Sequence, residues 1–273
     1  MTHFLRLPFV DIGLVILALL IALGAARAHE ASLGHASFFT GYLLLVVVAA
    51  LAAFNLRKKL SFLPIGKASL WLRIHVAMGF FVIGVFAIHA GWSWPNGWFE
   101  STLYFVFALT VVSGLVGLYM SRQYPLRLSK LREEYIYERI PQFRATVRRQ
   151  AHEVVMALVE DSATDTIADF YHAELCAFFV RSRGLKYIVR PTSGLRNELQ
   201  NKLAALSRYC APGEHDACQQ LSRLIDRRDD LDYHSALQGK LKWWLFGHIA
   251  LTYVLIMFSA VHVIVVHAFQ GTM

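Results

Sequence analysis

Long runs of apolar residues alternate along the chain with short polar loops and one long charged stretch. A helix that crosses the ~30 Å hydrocarbon core of a bilayer needs ~20 mainly apolar residues. Five runs reach this length, at about 9 to 26, 37 to 54, 70 to 91, 102 to 120 and 243 to 268. None alternates apolar and polar residues with a period of two, which favours helices over barrel strands. The pattern predicts an all-α integral membrane bundle of five transmembrane helices.

The charged stretch lies between the fourth and fifth apolar runs and predicts a helical insertion. The expected organisation is therefore transmembrane helices 1 to 4 in residues 1–120, a helical cytoplasmic domain in 121–242, and transmembrane helix 5 in 243–273. Pro191 and Pro212 are expected to divide the insertion into shorter helices. The insertion contains neither a glycine-rich dinucleotide fingerprint nor a Walker-type loop, which disfavours a nucleotide-binding reductase domain.

Composition agrees with a membrane protein. Of the 273 residues, 56% are hydrophobic and 17% are charged, and the mean hydropathy of +0.44 is too high for an ordinary soluble domain of this size. The first run also resembles a cleavable secretory signal, because Arg6 precedes it and the small residues Ala26 and Ala28 end it. Asp11 fits poorly in the apolar part of a signal, so we interpret this run as a retained anchor.

Basic residues near the membrane predict the orientation of the chain, because cytoplasmic loops are enriched in Lys and Arg. Two loops are basic, the one after the second run and the one after the fourth; their basic residues are Arg57, Lys58, Lys59 and Lys67, then Arg122, Arg127, Lys130 and Arg132. The N-terminus and the 121–242 domain are thus expected in the cytoplasm and the C-terminus outside, in the periplasm, for a multi-pass protein of the inner (cytoplasmic) membrane. The net charge of +8 suits anionic lipid headgroups, and nothing in the sequence calls for nucleic acid.

Four histidines stand within two of the predicted membrane helices, in two pairs. His75 and His89 are 14 residues apart in the third helix, and His248 and His262 are 14 apart in the fifth. Fourteen steps of ~100° and 1.5 Å return a side chain to within ~40° of its starting direction, ~21 Å along the axis. Because both helices are expected to run outward, His75 should match His248 in depth, and His89 should match His262.

Two imidazoles at one depth can fill both axial positions of a haem iron, which leaves no position open for oxygen or substrate. We therefore interpret His75 and His248 as ligands of an inner haem iron, and His89 and His262 as ligands of an outer one. The chain has no Cys-x-x-Cys-His sequence, so the cofactors are expected to be two non-covalent haem b groups. The alternative is that the histidines are buried and hydrogen-bonded to neighbouring helices, or line a proton path.

Two nearby residues extend this interpretation. Gly79, one turn after His75, would leave room for a porphyrin edge. Arg73 could pair with the propionate groups of the inner haem, as could Lys240 and Lys242, although ordinary positive-inside anchoring is the preferred explanation of these residues.

The doubled pattern of histidine, thirteen residues and histidine resembles the di-haem transmembrane core shared by the quinol-oxidising cytochromes b and the ferric reductase and NADPH oxidase family. The resemblance covers about half of the chain, chiefly the second to fifth helices, and implies the same four haem ligands and no others. Two departures limit what it implies about the reaction. A flavin and nicotinamide domain does not follow the last helix in this sequence, and the proline-rich quinol loop of the cytochromes b is missing.

The expected function is thus electron transfer across the membrane, as a subunit of a respiratory or other oxidoreductase complex whose partner is a redox protein or a quinone. A self-contained ferric or quinone reductase and a non-redox scaffold or transporter are the alternatives. His29, His35 and His267 are expected to be solvated or at the rim. Cys210 and Cys218, with His215 between them, are one ligand short of a metal site and are expected to be free thiols.

Overall fold

The computed structural model describes residues 9–32, 35–54, 67–91, 93–95, 97–131, 133–161, 166–210 and 212–269. Every regular element in these ranges is helical. Several residues used to predict orientation and the signal alternative lie outside them, namely Arg6, Arg57, Lys58, Lys59 and Arg132. The described residues form two compact units: a membrane unit from Met1–Arg122 and Trp244–Met273, and an insertion unit from Gln123–Trp243.

The membrane unit contains the helices α1 (Phe9–Ala31), α2 (Ala36–Ala53), α3 (Ala68–Ala90) and α4 (Trp98–Leu128), together with the apolar half of the last helix, α10 (Pro212–Phe269). All five are long and apolar enough to cross a bilayer. The prediction of five such helices is confirmed. In this unit α3 packs against both α1 and α2, and the buried side chains Val47, Val82, Phe107 and Leu255 form part of the core between α2, α3, α4 and α10.

The last helix is longer than the sequence suggested. It was expected to begin at about residue 243, whereas α10 starts at Pro212 and continues without a break for 58 residues, which at 1.5 Å per residue is about 87 Å. Proline is well tolerated at the first position of a helix, and no further proline follows it before Phe269. The charged residues of 214–242 are compatible with helix and therefore do not end it.

The insertion unit is built from short helices around the first part of α10. These are a 3₁₀ turn (Tyr137–Arg139), α5 (Ile140–Asp161), α6 (Thr166–Phe170), a π-helical turn (Tyr171–Leu175), α7 (Cys176–Val180), α8 (Leu185–Val189), α9 (Gly194–Leu206) and a second 3₁₀ turn (Ser207–Tyr209). Its core includes fully buried apolar side chains from several of these helices and from α10, among them Ile140, Ile167, Leu175, Leu221 and Ile225.

A buried group of charges ties α10 to the rest of the insertion unit. The Asp232 carboxylate is fully buried and lies 2.6 Å from Arg144, 3.1 Å from Arg183 and 3.1 Å from Arg228. Arg183 also contacts Asp229 at 2.9 Å. Charges removed from water need partners of this kind, because an unpaired buried charge costs several kilocalories per mole. The group therefore fixes how α5 and the segment before α8 pack on α10.

Candidate cofactor site

The four membrane histidines lie on two uninterrupted helices. His75 and His89 stand on α3, which ends where Gly91 adopts a left-handed conformation with φ of 58°. His248 and His262 stand on the apolar half of α10. All four side chains are half-buried within the membrane unit. Because both helices are continuous, the 14-residue spacing places the two histidines of each helix about 21 Å apart along its axis.

The structure brings His75 and His248 together, with ring centres 6.5 Å apart and ring planes at 77°. An imidazole nitrogen lies about 1.1 Å from its ring centre, so a direct hydrogen bond of about 3 Å would place the centres about 5.2 Å apart. Two bonds of about 2.1 Å to one metal ion would place them about 6.4 Å apart. The observed separation is too long for a direct hydrogen bond, and its length is compatible with a metal ion held between the two rings.

Helix α4 supports His248 from the side. The Nδ1 atom of His248 lies 3.2 Å from the Ser113 hydroxyl, and the Trp244 indole stacks on the imidazole with centres 5.4 Å apart. The Trp244 indole N–H donates to the Ser113 carbonyl at 2.8 Å. Trp244 occupies the surface of Gly117, where a Cβ would come within 1.7 Å of the indole. This position therefore requires glycine, and the contact holds the indole, and with it His248, in one orientation.

At the second level, α2 supports His89 in a similar way. The Thr40 hydroxyl lies 2.9 Å from the Ala36 carbonyl and 3.0 Å from Nδ1 of His89. In the tautomer with the proton on Nδ1, His89 donates to the Thr40 hydroxyl, which donates in turn to the Ala36 carbonyl, and Nε2 keeps its lone pair for a metal. Gly41 lies directly against the ring, since a Cβ there would be 3.1 Å from Cε1 of His89.

His89 and His262 line one cavity of the membrane unit. Its interior volume is about 110 Å³, and it opens to the outside of the unit. The walls are mostly apolar and include Val48, Phe86, Phe107 and Leu255. On the side of α4, Phe99 lies nearly parallel to the His262 ring, with centres 6.5 Å apart. The two imidazoles therefore line a mostly apolar cavity.

The residues present are compatible with a bis-histidine haem at each level. The observations that bear on this are the separation of the His75 and His248 rings, the hydroxyl partners at Nδ1 of His89 and His248, and the apolar cavity at the second level. The Nδ1 atom of His75 is buried and has no hydrogen-bond partner among the described residues. Within those residues no three His, Cys, Asp or Glu side chains cluster as a metal site, and a bis-histidine haem needs only two protein ligands.

Arg73 has a partner that the sequence did not reveal. Its guanidinium makes two parallel hydrogen bonds to the Asp11 carboxylate of α1, which is almost completely buried. In the structure Arg73 therefore pairs with a carboxylate of the protein itself. A contact between Arg73 and a haem propionate stays a prediction. The pair ties α1 to α3 two residues before His75.

The other residues proposed near the inner haem are Gly79, Lys240 and Lys242. Gly79 has no atom of the described residues within 4 Å of the position that a Cβ would take, so space is open beside it. Within the insertion unit, the ammonium groups of Lys240 and Lys242 contact the Val189 carbonyl at 2.8 Å and the Glu138 carboxylate at 3.5 Å. Both lysines thus already have partners within the protein, and their contact with a propionate stays a prediction.

Of the three histidines expected to be solvated or at a rim, His29, His35 and His267, only His267 lines the cavity. It is exposed and lines the same cavity as His89 and His262. Its Nδ1–H donates to the Val263 carbonyl at 2.8 Å, so its Nε2 accepts from the Tyr42 hydroxyl, also at 2.8 Å. His29 and His35 are exposed. The sequence placed His267 at a rim but did not indicate Tyr42.

The sequence did not indicate the hydroxyls of Thr40 and Ser113 either. Each is a polar residue in an otherwise apolar membrane helix, a signal that can mark a functional position, but threonine and serine are too common in such helices for the signal to stand alone. No family model, curated protein or solved structure matches the chain.

Replacing Thr40 with valine is expected to weaken haem binding at the His89 level by about 10- to 100-fold, the usual cost of losing a hydrogen bond to a metal-bound histidine. Valine has nearly the same shape but cannot accept the Nδ1 proton of His89. Transfer of haem from the purified protein to apomyoglobin measures the change. Thr40→Ser keeps the hydroxyl and is the matched control; equal haem loss from both variants would contradict this role.

Proposed function

We propose that the chain is a membrane b-type cytochrome that transfers electrons between the two faces of a bilayer. It holds two non-covalent haem b groups, one between His75 and His248 and one between His89 and His262. We further propose that it works as a subunit of a respiratory or other redox complex. The observation that carries the proposal is the 6.5 Å separation of the His75 and His248 rings, which suits a shared iron.

The protein's part in this function is to hold and insulate the two sites. A bound haem supplies a reversible one-electron change of its iron. The four histidines would hold the two groups, and with two histidines on each iron no position would be left open for oxygen chemistry. Thr40 and Ser113 orient two of the imidazoles through Nδ1, and the apolar walls exclude water. Rigid ligands with no open position favour electron transfer over catalysis at the metal.

The proposed orientation follows the distribution of Lys and Arg. The N-terminus and the insertion unit would lie in the cytoplasm and the C-terminus in the periplasm, in the inner membrane. The net charge of +8 would favour contact with anionic lipid.

Electrons would enter or leave through a redox protein subunit or a quinone. One electron that crosses the membrane moves with or against ~2.3 kcal/mol per 100 mV of potential, so the direction of flow decides whether the protein builds or dissipates that potential.

Vesicles test this function directly. The purified protein, loaded with haem, is reconstituted into liposomes that contain ferricyanide, and dithionite is added outside. We expect the trapped ferricyanide to be reduced much faster than in vesicles without protein. His75→Ala and His262→Ala, each of which leaves one haem level intact, should fall to the rate of empty vesicles. A wild-type protein with both haems that does not speed the reaction would contradict transmembrane electron transfer.

A second candidate function is a self-contained quinol or quinone oxidoreductase. The hydrogen-bonded pair of Tyr42 and His267 in the cavity of His89 and His262 favours it, because a quinol hydroxyl needs a proton acceptor beside its electron acceptor. In this case duroquinol alone reduces the purified protein, and His267→Asn slows that reduction by about 10²-fold. If dithionite reduces the protein but duroquinol does not, the protein needs a redox partner and this second function is excluded.

A further inference from the structure

Two of the three cysteines lie side by side in the insertion unit. The sulfur atoms of Cys210 and Cys218 are 4.0 Å apart. Cys210 follows the 3₁₀ turn Ser207–Tyr209 and has extended backbone angles, φ of −80° and ψ of 149°. Cys218 lies in the second turn of α10 and is buried. Cys176, the third cysteine, is half-buried on α7.

This arrangement is close to that of a disulfide. A disulfide bond is about 2.05 Å long, so the two sulfurs must approach by about 2 Å. The Cys210 thiol donates to the Leu206 carbonyl at 3.4 Å, a weak hydrogen bond that is lost when the side chain turns about χ1 toward Cys218. The pair is therefore poised for bond formation, at eight residues of separation in the chain.

We propose that Cys210 and Cys218 form a reversible intramolecular disulfide when the protein meets a low-molecular-weight disulfide. The Cys210 thiolate attacks one sulfur of the reagent, which forms a mixed disulfide and releases one reagent thiol. The Cys218 thiolate then attacks the Cys210 sulfur and releases the second thiol. Two protein thiols lose two electrons and two protons in total, and one reagent disulfide gains them as two thiols.

Burial assigns the order of the two steps. Cys210 is half-buried and Cys218 is buried, so Cys210 is the sulfur that a reagent reaches first. Burial raises the pKa of the Cys218 thiol to about 12 and also raises the pKa of Cys210. Because the thiolate is the nucleophile, the rate should rise about tenfold for each pH unit between 7 and 8. The bond would join the segment that follows α9 to the start of the helix that carries His248 and His262.

The experiment uses the full, haem-loaded chain in detergent with oxidised glutathione as the reagent. Remaining thiols are then blocked with N-ethylmaleimide, and the protein is weighed intact and mapped by peptides. In the reduced protein three thiols react once it is denatured. After oxidation we expect one, at Cys176, with no glutathione retained and a peptide that links Cys210 to Cys218.

Two variants make the result decisive. Cys176→Ser should still lose two thiols on oxidation, because the proposed pair is intact. Cys218→Ser should stop at the first step and keep one glutathione on Cys210. The proposal is overturned if wild-type Cys210 retains glutathione, or if both thiols stay reactive after oxidation. It is also overturned if, in the protein before oxidation, the two thiols react only after a chelator has removed a bound zinc ion.

Discussion

Replacing His248 with alanine is expected to reduce the haem content of the purified protein from two per chain to one. The iron held between His75 and His248 would keep one axial histidine, and the methyl group of alanine cannot replace an iron–nitrogen bond. The remaining haem, at the level of His89 and His262, should keep its six-coordinate spectrum because its ligands lie about 21 Å further along the helices. His75→Ala should remove the same haem. Haem per chain, with a redox titration of the remaining group, measures the effect.

The other two ligand substitutions should give the opposite pattern. His89→Ala and His262→Ala are expected to remove the outer haem and leave the inner one. His29→Ala is a matched control, because that histidine is exposed, and it should retain both haems. The pairing is wrong if each of the four substitutions removes both haems from a protein that still elutes as a folded species in gel filtration.

Replacing Asp232 with asparagine is expected to destabilise the insertion unit by about 3–5 kcal/mol, the usual cost of removing one partner from a buried ion pair. Asparagine has the same shape, but three guanidinium groups, those of Arg144, Arg183 and Arg228, would then surround a neutral amide in the protein interior. The unfolding of this unit can be followed through the buried thiol of Cys218, which should react with maleimide only when the unit opens.

An exposed ion pair provides the control for this variant. Glu153 lies 3.5 Å from Arg149 on α5, and both side chains are more than half exposed. Surface pairs of this kind contribute about 0–1 kcal/mol, so Glu153→Gln should leave the labelling rate of Cys218 almost unchanged. Equal labelling rates in the two variants would show that the buried charges do not hold the unit together.

The membrane helices could be predicted because their signal is local. An apolar run of about 20 residues needs no knowledge of its neighbours, and the structure has a suitable helix at each of the five runs. The end of such a run does not define the end of the helix, however. The charged residues 214–242 lack the apolar signal of a membrane span, yet they favour helix, and α10 therefore includes them.

The histidine levels could also be predicted, because 14 residues return to one face of any straight helix. The contacts that orient the histidines could not. Thr40 is 49 residues from His89 in the chain, and Ser113 is 135 residues from His248. Each contact depends on how neighbouring helices are rotated and shifted, which the apolar pattern leaves open. The same holds for Asp11 and Arg73, which are 62 residues apart.

The pyridine haemochrome assay on the purified full-length protein tests the central claim most directly, since it identifies the haem type and gives the ratio of haem to protein. We expect non-covalent haem b at two groups per chain, extractable with acidic acetone. A folded protein that binds no haem when expressed with an ample haem supply would contradict the assignment, and the paired histidines would then need a structural explanation.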